Sequence, residues 1–110
     1  MKPALSKLLV GLLLIAPSSQ ALAEASGNAS DGLMVAQRVC AQCHAVVQGA
    51  RASPNPQAPT FGNVANAAGM TDMALRVWFR SPHPSMPNLK LTGQESDDAV
   101  AYILSLRKRQ

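Results

Sequence analysis

The stretch Cys40-Ala41-Gln42-Cys43-His44 sets the reading of this 110-residue chain, because it holds both of its cysteines and one of its two histidines. On a helix, positions i, i+3 and i+4 share a face, so two thiols and an imidazole can converge on one object. Cys-x-x-Cys-His at this spacing is the attachment motif for c-type haem: Cys40 and Cys43 meet the two vinyl groups while His44 reaches the iron. A Cys-x-x-Cys pair also serves thiol–disulfide exchange and zinc binding. Zinc would need two further ligands, and only His83 is left to offer one. A redox dithiol of the thioredoxin kind needs a βαβ pattern, and no period-2 strand pattern appears.

Upstream of the motif, Lys2 and Lys7 precede the nine-residue apolar run from Leu8 to Ala16, and Ala21-Leu22-Ala23 has the small-x-small pattern of a signal-peptidase site. A membrane-spanning helix needs about 20 apolar residues, so this segment is expected to be a cleaved signal peptide, residues 1–23. Cleavage after Ala23 would place the chain in the periplasm. Residues 24–30 are small and polar and read as a flexible lead-in, leaving 31–110 as the folded domain.

Charge follows the same division. The whole chain carries a formal +4, which on its own suggests an anionic partner such as nucleic acid. After Ala23 there remain eight basic residues against six acidic ones, a balance of +2. Three of the eight are Arg107, Lys108 and Arg109, and without that tail the body stands at −1. The basic excess belongs to the two ends, so a nucleic-acid partner loses its support. The tail itself reads as a solvated helix end that complements the helix dipole, or as a docking element.

Periodicity predicts an all-α domain. Leu33, Ala36, Cys40 and Cys43 recur at helical spacing from about Asp31 to His44. Residues 45–69 hold three prolines and three glycines and read as loop, with a single turn near Val64–Ala67. Thr71 can cap a helix running to Arg80 before Pro82. Its Leu75, Val77, Trp78 and Phe79 cover more than one side, as expected of a helix enclosed on two faces. Ser81 to Leu91 holds three prolines and reads as an irregular strap. Thr92-Gly93-Gln94-Glu95 is a capping box opening a helix to about Arg107, with Ala99, Tyr102, Ile103 and Leu106 on one face. Met34 and Met73 sit at helical positions where packing is the simplest explanation. Three helices are too few to restrain this much loop, and an internal cofactor would organise it.

Over residues 30–110 the chain resembles the class I cytochromes c. Gly32 stands eight residues before Cys40, where that family places a glycine at the crossing of its first and last helices, and Tyr102 is similar to the aromatic packed over it. Ser85-Met86-Pro87-Asn88 resembles the family's axial methionine loop, and Ala58-Pro59-Thr60-Phe61 the segment behind the proximal histidine. Two departures stand out: Ala36 occupies a position where many relatives carry a large aromatic, and the lysine ring of mitochondrial members is missing.

The resemblance implies a cytochrome c fold, with three main helices and long loops wrapped around one covalently bound haem c. It implies His44 and Met86 as axial ligands of the iron, with the Pro59 carbonyl accepting from the other ring nitrogen of His44. Trp78 would line the haem pocket, with its indole N–H free for a propionate. His83, in the same strap as Met86, is a rival ligand or an ordinary loop residue. The function implied is that of a periplasmic one-electron carrier and not an enzyme. Its partners would be redox proteins: membrane cytochrome complexes, oxidases, or periplasmic reductases and dehydrogenases. No stable membrane insertion is expected. An open-iron sensor or peroxidase is the alternative, and Met86 argues against it. A dedicated module of a larger complex is another.

Overall fold

The computed structural model describes residues 26–81 and 83–109. The expected signal peptide, residues 1–23, lies outside them. Four α-helices follow in order: α1 Ala29–Val35, α2 Phe61–Asn66, α3 Asp72–Arg80 and α4 Gly93–Ser105, with a π-helical turn over Ala36–Cys40 continuing α1. Among the described residues there is no strand, and the all-α reading stands.

The first helix begins earlier than its apolar spacing predicts. Asn28 caps it, its side-chain oxygen accepting from the N–H groups of Ser30 and Asp31, which is the preferred chemistry for an N-terminus. Asn28 is itself held, its N–H donating to the buried Asp98 carboxylate at 2.7 Å. Residues 28–30 are thus part of the fold rather than of a lead-in. Nor does the helix run regularly to His44. It widens at Ala36, with the Ala41 N–H bonding the Ala36 carbonyl five residues back, and turns over at residues 41–43. A π-turn of this kind is frequent at functional sites.

The core forms where α1 crosses α4. A Cβ built on Gly32 would stand 1.9 Å from the Asp98 carbonyl oxygen and 2.7 Å from the Tyr102 Cβ, so only hydrogen fits between the two backbones. Gly27 makes the same approach to the Asp97 carbonyl at 2.0 Å. Ala36, fully buried, fills its place in the crossing without an aromatic ring. Val100 and Ile103 are buried beside it, each contributing about 1.5–3 kcal/mol of apolar transfer. Tyr102 lies over the glycine as expected, and its hydroxyl donates to the Val46 carbonyl at 2.6 Å.

Ion pairs tie the other elements to α4. Arg76 on α3 bonds both Asp72, at 2.6 Å, and Asp97, and those two carboxylates hold its guanidinium further into the charged state. Arg38 pairs with Glu95, which also closes the capping box with Thr92. The α4 box is as the sequence predicts.

Arg107, Lys108 and Arg109 are exposed, as expected of a solvated helix end, but the segment is also tied down. Arg107 bonds the carbonyls of Ala65 and Met70. Asn66 gathers Gly62 and Leu106 carbonyls on its amide and takes the Lys108 N–H on its oxygen. The last residues therefore lock α2 against α4. Two further expectations need correction. Met34 and Met73 are 60% and 70% exposed, since none of the described residues covers the faces they stand on. On α3 only Leu75 is fully buried, while Val77 and Trp78 stand open, so protein encloses one face of that helix and not two.

Candidate haem-binding site

The π-turn delivers Cys40 to the core side and Cys43 to the surface. Both thiols are free, Cys40 buried and Cys43 exposed. Burial pushes the Cys40 thiol up to about 11, because its thiolate is poorly solvated there. The Cys40 carbonyl accepts from the N–H groups of both Cys43 and His44, at 3.1 and 2.9 Å, and this closes the turn that presents the imidazole.

His44 is held from behind. Its Nδ1 lies 2.6 Å from the Pro59 carbonyl oxygen, a contact that requires a proton on Nδ1, since a carbonyl can only accept. Nε2 is then the ring nitrogen with a lone pair free. Phe61 packs against the ring at 5.4 Å between centroids and lies 6.4 Å from the Tyr102 ring. His44 is thus joined through two aromatic rings to the α1–α4 crossing.

The proline-rich loop that delivers Pro59 is ordered by its own hydrogen bonds. Asn55 N–H donates to the Cys43 carbonyl at 3.1 Å and Phe61 N–H to the Ala45 carbonyl at 2.9 Å. Ala45 N–H in turn donates to Ser53 Oγ at 2.9 Å. Thr60 then caps α2 through the Asn63 N–H at 3.1 Å. Fifteen residues separate His44 from Pro59 in sequence, and these rungs make that distance compatible with a fixed contact.

The strap and α3 carry the remaining residues expected at the site. Met86 is half-buried in the irregular segment after α3. Trp78 is 53% exposed and Val77 55%, which is much bare apolar surface for so small a domain. His83 stacks on Trp78, with ring centroids 4.2 Å apart and planes at 20°. Its Nε2 is shut off from solvent without a hydrogen-bond partner, a feature no spacing rule could have foretold.

These residues fit a c-type haem. Two unpaired thiols lie next to an oriented imidazole, and α3 leaves apolar surface uncovered. A protein-only metal centre fits less well: among the described residues no three His, Cys, Asp or Glu side chains group to hold a metal ion.

An all-α domain with a single Cys-x-x-Cys-His turn at the foot of a glycine-mediated helix crossing defines a class, the small monohaem cytochromes. Comparison with known proteins agrees. The chain is 38% identical over 96 residues to cytochrome c-552 of Bradyrhizobium diazoefficiens, a match spanning 87% of this chain and 88% of that one. No family model matches it, and no solved structure does. The chain belongs to the class I c-type cytochromes. It carries covalent haem c with its iron and is an electron-transfer protein rather than an enzyme. Among the described residues no helix is long and apolar enough to cross a membrane.

Proposed function

We propose that the chain is an exported, periplasmic carrier of single electrons, with its iron held between His44 and Met86 and its haem bonded to Cys40 and Cys43. The haem, when bound, supplies the one-electron exchange between ferric and ferrous iron. The observation that carries this reading is the 2.6 Å contact from His44 Nδ1 to the Pro59 carbonyl. It selects the tautomer, fixes the ring plane and makes the imidazole a stronger base toward iron.

Met86 completes the site from the strap. A thioether is a soft ligand that favours the ferrous state and raises the potential. Two protein ligands also leave no open coordination position, which favours a carrier over an oxygen- or peroxide-binding protein. Trp78 and Val77 provide apolar surface that keeps water away from the macrocycle. Its partners are redox proteins, and we assign them to the membrane complexes, oxidases, reductases and dehydrogenases of the periplasm. Residues 1–23 direct export and are removed after Ala23, so that the mature chain starts at Glu24.

Intact-mass analysis of the protein purified from periplasm tests this reading. The expected mass is that of residues 24–110 plus one haem, and Cys40→Ala/Cys43→Ala should lose the haem increment. A membrane-bound protein retaining Met1 would contradict export as a free carrier.

A further inference from the structure

The Pro59 carbonyl holds the His44 ring at one atom, Nδ1. A hydrogen bond keeps its strength over about 30° of bend, so within that range the angle of the imidazole plane is left to what packs on the ring. Phe61 does so, its ring centroid 5.4 Å from that of the imidazole and its plane inclined by 51°. That separation lies in the favoured range for ring pairs, about 4.5–7 Å.

Phe61 has little room to yield. It is buried, 5% exposed, and the Tyr102 ring lies 6.4 Å from it. Its N–H donates to the Ala45 carbonyl at 2.9 Å, while the Tyr102 hydroxyl donates to the Val46 carbonyl at 2.6 Å. The two residues after His44 are thus tied to the two residues whose rings stand behind the imidazole. Backbone and ring of His44 share one frame. Pro59 and Phe61 also belong to one short segment, so the hydrogen bond and the ring contact are delivered together.

We propose that Phe61 is a positioning residue for the axial imidazole: its ring, backed by Tyr102, sets the angle of the His44 plane within the range the Pro59 bond permits. This rests on the axial assignment of His44. The plane decides which iron d orbital the imidazole π system overlaps, and so the direction in which the unpaired electron of the ferric state spreads.

The test uses the ferric holoprotein with cyanide added. Cyanide takes the position opposite His44 and is axially symmetric, which leaves the imidazole plane as the main source of asymmetry at the iron. The four haem methyl proton resonances then report that plane. Phe61→Leu keeps most of the apolar volume without a flat ring, and its methyl resonances should be spaced differently from those of the wild type. Phe61→Tyr keeps the ring and should keep the wild-type spacing. A second measurement needs no variant: the reduced wild-type protein should show nuclear Overhauser contacts between the Phe61 ring protons and the carbon-bound ring protons of His44. Unchanged spacing in Phe61→Leu, an equal change in Phe61→Tyr, or no contact between the two rings would overturn the proposal. Failure of the axial assignment is recognised separately, as His44 ring protons that lack the large upfield displacement of a haem ligand in the reduced wild type.

Discussion

His44 directs Nδ1 at the Pro59 carbonyl, 2.6 Å away, and so leaves only Nε2 for a metal. The geometry makes a definite claim about protons. In the reduced, diamagnetic holoprotein, nitrogen NMR should find His44 protonated at Nδ1, slow to exchange, and unprotonated at Nε2. A proton on Nε2 would contradict iron ligation by His44.

Gly32 is the point at which α1 and α4 come closest. With the Asp98 carbonyl 1.9 Å from any added Cβ, Gly32→Ala must push the helices apart. Overpacking of this kind costs about 1–3 kcal/mol, occasionally more, and the obstacle here is backbone that cannot rotate away. Urea unfolding of the ferric holoprotein should show a loss in the upper part of that range. A loss below about 0.5 kcal/mol, the size of an ordinary surface change, would mean that the crossing is looser than described.

The Arg76–Asp97 link gives stability a defined pH dependence. Hydrogen bonding to Arg76 holds the Asp97 carboxyl below its ordinary value of 3.8. A depressed folded value contributes stability that is fully present above the ordinary pKa and lost as pH falls through the folded one. Glu95 behaves alike, lowered first by the Thr92 N–H and then by Arg38. Asp97→Asn should therefore be less stable than the parent at pH 7, with a smaller gap between the two urea curves at pH 3 than at pH 7. An equal difference at both pH values would contradict the link.

Much of this arrangement is readable from local spacing. The Cys-x-x-Cys-His turn, the Thr92–Glu95 box and the Thr71 cap are each set by residues three or four apart, where one helical turn imposes the geometry. The Gly32–Tyr102 pair and the Pro59 contact are long-range and became readable only through likeness to a family. Asn28 carried an unused signal, a capping residue three positions before Asp31. The π-turn carried none, because widening a helix by one residue leaves the apolar pattern almost unchanged. Periodicity also could not say that Met34, Met73 and Val77 lack a cover, since it identifies a face and not what lies against it. The Asn66–Arg107 lock joins residues about forty apart, and nothing in either segment announces the other.

Axial ligation is where the assignment of this chain as an electron carrier is most exposed to test. The ferric holoprotein should show the weak red absorption band of a methionine–iron bond, and His83→Phe should retain it. Met86→Ala should abolish it and open the ferrous protein to carbon monoxide. Persistence of the band in Met86→Ala, or ready carbon monoxide binding by the unmutated protein, would contradict the His44–Met86 pair.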